Sequence, residues 1–309
     1  MALLVHAAKN GTAASQVTHH DERNFSSADY ADFSPLFSEK LCAFSAKLCV
    51  PLFYQGQDMN QATQQILTQK LLAMADDEII LAHRNSEWIG HAPILEEDIA
   101  LANISQDELG HANVWYGLLE AITGEEPDKL VFFRETAAYR NVQMVELPRG
   151  DWAFTMLRQY LFDAYELLLL DKLQHSSYQP LTQACAKIRN EEIYHFRHSS
   201  SWVKRLGLGT EESHRRTQAA LDELWHYAQQ LFVPLPDESI LLEAKMVPDL
   251  AALHEEWLER IRPFLTAANL TIPANSTPPA TSRSNHTPHL TTLLSDMQKV
   301  AHLNPEAVW

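Results

Sequence analysis

The pattern Glu-x-x-His occurs twice in this sequence, each time in a stretch whose hydrophobic spacing is helical. Glu108 and His111 lie in SQDELGH, and Glu192 and His195 lie in NEEIYH. Residues three apart on an α-helix share one face, so each pair directs a carboxylate and an imidazole toward the same point. One such pair is common and can be a solvent-exposed Glu beside a core His. Two pairs restrict the fold much more strongly than one, because each of the two helical faces that carry a pair needs a partner for its Glu and its His.

Each Glu-x-x-His pair is preceded, at nearly the same distance, by an acidic residue within an apolar run. The stretch ADDEIILAH places Glu78 30 residues before Glu108, and YLFDAYELL places Asp163 29 residues before Glu192. An ionisable residue among leucines and isoleucines is costly to bury unless it is paired or binds a metal. The chain therefore repeats one unit, which consists of a carboxylate, a turn and a Glu-x-x-His helix.

The sequence leaves two choices open among the leading carboxylates. Asp76, Asp77 and Glu78 are adjacent, and since only some of them can point inward, Asp77 is the alternative to Glu78. Glu166 lies one helical turn after Asp163 and competes with it for the same role.

Hydrophobic periodicity predicts four long helices over about residues 61–86, 95–122, 151–176 and 180–206, and two more over about 211–232 and 248–265. Gly and Pro separate these segments, and Asp151 is suited to cap the third. Gly is scarce, at nine residues, and no Gly-rich phosphate loop is present, which argues against a nucleotide-binding α/β fold. The sequence thus predicts an all-α fold.

Four such helices can bring four carboxylates and two imidazoles into one bundle core. This is the ligand inventory of carboxylate-bridged di-iron and di-manganese proteins, in which bridging carboxylates hold two metal ions and compensate their charge. We therefore predict a metal centre in a ferritin-like four-helix bundle with additional C-terminal helices. Asp107 and Glu191 are expected to face away from the metals and to orient the histidines. The candidate ligands are Glu108, His111, Glu192 and His195, together with Glu78 or Asp77 and with Asp163 or Glu166.

Composition and charge exclude several kinds of partner. The chain of 309 residues has a net charge of −16, which disfavours nucleic acid and anionic membranes. It has three cysteines, an odd number without metal-site spacing, which favours a reducing, cytoplasmic location. No stretch of about 18 uncharged apolar residues predicts a membrane span.

Four segments are predicted along the chain. Residues 1–60 form an N-terminal extension that is partly mobile, and residues 61–270 form the helical bundle domain. Residues 271–287 are rich in Pro, Ser, Thr and Asn and are predicted to be a linker. Residues 288–309 contain an amphipathic stretch that is predicted to dock back onto the bundle.

Over about residues 60–235 and the C-terminal segment, the sequence resembles the large bundle subunits of bacterial phenylacetyl-CoA epoxidase. The resemblance rests on ADDEIILAHRNSEWIGHAP, SQDELGHA, RQYLFDAYE, EEIYHFRHSSSWVKRLGLGT and the tail DMQKVAHLNPEAVW. The stretches HRNSEWIGHAP and WVKRLGLGT and the tail resemble the C-type subunit of that family. The complete set of ligand-type residues resembles the A-type subunit.

The resemblance implies a subunit of a multicomponent di-iron oxygenase of phenylacetate catabolism. By the resemblance, the metal ligands would be Glu78, Glu108, His111, Asp163, Glu192 and His195. Two Fe ions at these six residues would be the cofactor, and the reaction would insert oxygen into the ring of a CoA thioester. The implied partners are a homologous catalytic or scaffold subunit, small accessory subunits and a reductase. The alternative is a non-catalytic partner of the C type, in which the ligand positions are relics. An iron-storage or ferroxidase bundle is disfavoured, because ferritin-like shells use shorter chains without the long C-terminal extension.

Overall fold

In a computed structural model, residues 59–306 are described, and they form helices without any β-strand. The predicted all-α fold is confirmed. The prediction for residues 1–60 lies outside the described residues, except for its last two positions. The helices are α1 (Gln61–Ser86), α2 (Leu95–Thr123), α3 (Pro127–Phe132), α4 (Gln143–Glu146), α5 (Trp152–Leu173), α6 (Gln179–Gly207), α7 (Glu211–Ala228), α8 (Ser239–Glu243), α9 (Leu250–Ala267), α10 (Pro288–Met297) and α11 (Lys299–Leu303).

The long helices begin and end at residues suited to those positions. The side chain of Asn60 accepts a hydrogen bond from the backbone N–H of Thr63 at the start of α1. Asp151 does the same for Phe154 at the start of α5, as the sequence predicts. These side chains satisfy N–H groups that have no partner within the helix. Gly124 ends α2 with a φ of 76°, a conformation that glycine adopts without strain.

The four longest helices form the bundle. Helix α1 packs along α2, α5 packs along α6, and α2 also contacts α6. Helix α5 lies deepest, and every side chain from Ala153 to Leu170 is buried. A helix that is enclosed on all sides is mostly apolar, and the polar side chains that α5 does carry, among them Gln159, Asp163 and Glu166, are buried as well. Helices α7 and α9 cover α5 from outside.

Small departures from the predicted helix bounds occur at helix ends. Helix α5 ends at Leu173, three residues before the predicted end. The helix predicted over 211–232 changes at Ala228 into a 3₁₀ turn over Gln229–Phe232. The last turn of a helix often tightens in this way, because its carbonyl groups lack intrahelical partners. Within residues 59–306, no helix has both the length and the apolar character needed to cross a membrane.

Three consecutive acids of α1 point in three directions and have three different environments. Asp76 pairs with Arg134, whose Nη1 lies 3.0 Å from Oδ2. Asp77 pairs with Arg283, whose Nη1 lies 2.7 Å from Oδ2. Glu78, the third, faces α2 and makes no such pair with an arginine. The helical rotation of about 100° per residue thus separates two structural ion pairs from one side chain that faces the bundle core.

The segment after α9 returns along the bundle and makes buried polar contacts with it. Both carboxylate oxygens of Glu146 are used, one by the His286 ring nitrogen and one by the backbone N–H of Thr287, each at 2.6 Å. Arg84 of α1 donates to the backbone oxygen of His289 at 3.2 Å. These contacts join residues far apart in sequence. The domain limits at 61–270, 271–287 and 288–309 stay a prediction.

We expect the substitution Arg283→Leu to destabilise the protein strongly, because Arg283 and Asp77 are both buried and Asp77 would lose its charge partner. Breaking a buried ion pair on one side costs about 3 to 5 kcal/mol. Equilibrium unfolding in urea measures this loss.

The matched control is Arg189→Leu, because Arg189 pairs with Asp171 where both side chains are more than a third exposed. Its unfolding midpoint should stay near that of the wild type, since solvent screens exposed pairs. Equal losses of unfolding free energy in both variants would show that the contribution of Arg283 to stability does not depend on burial of the ion pair.

Candidate metal centre

Helices α2 and α6 bring the two Glu-x-x-His pairs face to face inside the bundle. The rings of His111 and His195 lie 5.7 Å apart between centroids. Nδ1 of His111 is 4.0 Å from the Glu108 carboxylate, and Nδ1 of His195 is 3.0 Å from that of Glu192. All four side chains are at most 1% exposed. The repeated sequence pattern therefore corresponds to one buried cluster.

The cluster contains two overlapping groups of potential ligands. Within each group, one ligand atom from each residue lies within 4.8 Å of the others. Glu108 belongs to both groups, with Oε2 facing His111 and Oε1 lying 3.7 Å from Nδ1 of His195. The first group is Glu78, Glu108, His111 and Glu166, and the second is Glu108, Glu192 and His195.

Five of the six residues predicted as ligands lie in these groups, and the sixth, Asp163, does not. Asp163 is fully buried on the same helix as Glu166, but both of its oxygens are occupied. Ser199 Oγ donates to one of them at 2.6 Å, and Gln159 Nε2 donates to the other at 2.6 Å. Glu166, which the sequence leaves as the competitor, faces Glu78 instead. The choice between the two stays a prediction.

Each histidine contacts an acid from the opposite helix on the ring edge that faces away from the cluster. Nε2 of His111 lies 3.0 Å from Glu191 on α6, and Nε2 of His195 lies 3.3 Å from Asp107 on α2. Both acids are partly exposed and directly precede the paired glutamates, as expected from the sequence. A hydrogen bond at Nε2 fixes the ring orientation and leaves Nδ1 facing the cluster as a potential ligand.

A second layer of buried polar side chains was not predicted from the sequence. Gln159 Nε2 donates to Glu108 Oε1 at 2.8 Å, and Gln159 Oε1 accepts from Asn85 Nδ2 at 2.7 Å. Gln159, Asn85 and Ser199 are all 0% exposed. The available signal was helical spacing, since Gln159 precedes Asp163 by four residues and Ser199 follows His195 by four.

When its carboxyl groups are ionised, the cluster leaves several ligand-type atoms without a hydrogen-bond partner within the described part of the chain. Buried polar atoms are nearly always paired, because an unpaired one costs about 1 to 3 kcal/mol. A cation in each group would provide the missing partner, and carboxylate oxygen with imidazole nitrogen is a donor set that suits iron or manganese. The residues present therefore fit a pair of such ions. The unpaired atoms are Glu78 Oε2, Glu108 Oε2, His111 Nδ1, Glu166 Oε2 and Glu192 Oε1.

Electrostatics agree with this interpretation. Burial raises the pKa of Glu78, Glu166 and Glu192 well above the usual range, and neighbouring carboxylates raise it further. Burial also raises the pKa of Asp163. For His195, burial opposes protonation, but the Asp107 hydrogen bond and nearby carboxylates prevail and raise the pKa to about 9. A cation would replace the protons that these groups otherwise retain.

The fold and the cluster define a class: a helical bundle protein with a buried carboxylate–histidine cluster able to bind metal. Comparison with known proteins identifies the family. The chain belongs to the family of phenylacetic acid catabolic proteins, which matches residues 49–309. The resemblance seen in the sequence is confirmed.

Two curated relatives, both from Escherichia coli (strain K12), differ in how much of them is matched. The chain is 34% identical over 245 residues to the C-type subunit of 1,2-phenylacetyl-CoA epoxidase, covering 79% of this chain and 99% of that relative. It is 26% identical over 200 residues to the A-type subunit of the same enzyme, covering 63% of each chain.

We expect the metal-free protein to lose stability as the pH rises from 6 to 9. The raised pKa of Glu192 and its neighbours means that the folded chain holds more protons than the unfolded chain, so the free energy of unfolding falls with pH. His195 acts in the same direction: its stabilisation is complete below an unfolded pKa of about 6.5 and is lost through its folded pKa of about 9. Urea unfolding at several pH values with a chelator present measures the slope.

The variant Glu192→Gln is the control for this pH dependence. An amide does not titrate, so the variant should show a smaller slope than the wild type in the same buffers. Stability of the metal-free wild type that is constant or increases with pH would contradict the electrostatic argument.

Proposed function

We propose that this protein is a subunit of a multicomponent di-iron oxygenase that resembles phenylacetyl-CoA epoxidase. It would act in aerobic phenylacetate catabolism and contribute to inserting oxygen into the ring of an aromatic CoA thioester. The observation that supports this proposal most strongly is the set of five unpaired ligand-type atoms in the cluster core. Such a set is costly in a bundle that serves only as a scaffold.

The proposed ligands are the six residues predicted from the sequence, with Glu166 as the alternative to Asp163. Two Fe ions at these residues would supply the activation of dioxygen. The protein's own contribution is to orient the ligands and to exclude water. Glu191 and Asp107 hold the two imidazoles with Nδ1 directed inward. The Tyr160 ring stacks between Phe196 and Phe264 near Asp163.

The proposed partners follow from the same assignment. A homologous large subunit, small accessory subunits and a reductase would complete the enzyme, and a CoA thioester would be the substrate. Electrons would come from the reductase, because no flavin or iron–sulfur motif was found in the sequence. The proposed setting is the cytoplasm.

A non-catalytic role of the C type is the second candidate. It is favoured by the higher identity and fuller coverage of the match to the C-type relative than of the match to the A-type relative. In that role the chain would support a catalytic partner, and the cluster residues would contribute only to the core. The two candidates differ in whether the protein binds iron.

Iron analysis of the purified chain tests the proposal. After anaerobic reconstitution with Fe(II), we expect about two Fe ions per wild-type chain and at most one in His195→Ala, because the variant lacks one neutral ligand. Reconstitution with a reductase and the homologous large subunit should then give oxygenation of an aromatic CoA thioester. Metal analysis and product detection by mass spectrometry provide the measurements.

His254→Ala is the control for losing an imidazole elsewhere. His254 lies outside the cluster, beside Gln229 and Trp257, so its loss should leave the iron content unchanged. A wild-type chain that binds no iron, and whose melting temperature ignores added Fe(II), would refute the metal centre and favour the scaffold role.

The choice between Glu166 and Asp163 can be tested with the isosteric variants Glu166→Gln and Asp163→Asn. We expect Glu166→Gln to weaken Fe(II) binding at least about tenfold more than Asp163→Asn, because Glu166 has an unpaired oxygen while both oxygens of Asp163 are occupied. Competitive titration with a chelator of known affinity measures both constants. The opposite ranking would return the ligand role to Asp163.

A further inference from the structure

Gln159 donates a side-chain hydrogen bond to Glu108, the carboxylate shared by both groups. It lies on α5, whereas Glu108 lies on α2, so the contact crosses the bundle core. The Nε2–Oε1 distance is 2.8 Å, and both side chains are 0% exposed. Without water to compete, such a hydrogen bond restricts the rotamer of the carboxylate strongly.

Both N–H donors and the oxygen of the Gln159 amide make hydrogen bonds. Its NH₂ group donates to Glu108 and to Asp163, and its oxygen accepts from Asn85. An ionised carboxylate only accepts hydrogen bonds, so the amide nitrogen has to face the two acids. Asn85 on α1 then holds the oxygen side. The amide is therefore fixed from three sides by three different residues.

The orientation of Glu108 follows from this arrangement. With Oε1 held by Gln159 and directed toward His195, Oε2 faces His111 without a donor. A carboxylate oxygen has two lone pairs, so Oε1 can accept the amide N–H and still bind a cation. One side chain thus presents one oxygen to each histidine.

We infer that Gln159 is a positioning residue that holds Glu108 as the carboxylate shared by two metal positions, and that Asn85 fixes its amide for this role. The inference rests on the proposed metal centre and deepens it. Gln159 touches neither histidine, and it acts through Glu108. The side chain is fully buried and apart from solvent, which excludes a role as a surface contact.

Full-length protein loaded with Mn(II) tests the inference, because a carboxylate-bridged Mn(II) pair gives an exchange-coupled electron paramagnetic resonance spectrum that isolated ions do not give. The variant Gln159→Met keeps the length of the side chain and removes its hydrogen bonds. We expect the wild type to bind two coupled ions. The variant should bind the second ion at least about tenfold more weakly and lose the coupled signal.

Gln230→Met is the matched control. Gln230 is also 0% exposed and also uses its amide, accepting from the backbone of Gln143 and donating to that of Ser282, but it lies outside the cluster. It should lose stability to a similar degree and keep the coupled signal. A control that loses the signal as well would show a merely structural effect and overturn the inference.

Asn85→Ala covers the case in which Gln159→Met does not fold, because it frees the amide oxygen of Gln159 and leaves its donors in place. A smaller loss of the same kind is expected. Two coupled ions with wild-type affinity in Gln159→Met, or in Asn85→Ala if only that variant folds, would overturn the inference and leave the metal centre standing. A wild type that binds no Mn(II) and no Fe(II) would overturn both.

Discussion

The cost of burying ionisable side chains governs this structure. Four carboxylates and two imidazoles meet in the centre of a bundle, where each charge would be strongly disfavoured without a partner. The raised pKa values of Glu78, Glu166 and Glu192 reflect this cost, because a buried carboxyl group avoids it by keeping its proton. The surrounding bundle therefore has to be stable enough to hold the cluster together, and the burial of α5 from Ala153 to Leu170 supplies much of the apolar area that does so.

The C-terminal segment and the connection between α2 and α5 also compensate buried charge. They do so on the faces of α1 that point away from the cluster. Asp76 and Asp77 directly precede Glu78, and arginines from these two segments neutralise them. If either pair were absent, a further uncompensated charge would add to those already buried near the cluster. The ion pairs thus allow an acidic stretch to enter the core with only one of its three acids facing the site.

The sequence predicts the parts of this structure that depend on local periodicity. Helix bounds follow from hydrophobic spacing and caps such as Asp151, and the Glu-x-x-His pairs follow from the three-residue spacing on one helical face. Spacing does not decide between Asp163 and Glu166, because residues three apart share a face. Gln159 reaches Asp163 from one turn earlier on α5, but Ser199, which occupies the other oxygen, lies on α6 and meets Asp163 only through tertiary packing. The role of Arg283 was also missed, since a segment rich in Pro, Ser and Thr indicates a linker and not a buried charge.

Charge balance explains why this cluster suits two divalent ions better than one. The carboxylates of the two groups are Glu78, Glu108, Glu166 and Glu192, so these two groups carry four negative charges when the carboxylates are ionised and the histidines neutral, without counting the nearby Asp163. Two divalent cations neutralise it, whereas a single cation leaves two negative charges in a low-dielectric core. A first ion would lower the proton affinity of the remaining carboxylates only in part, and a second ion would remove the residual repulsion. Because Glu108 belongs to both groups, its orientation would link the two proposed binding events, and the hydrogen bond from Gln159 would act at the point where they are coupled.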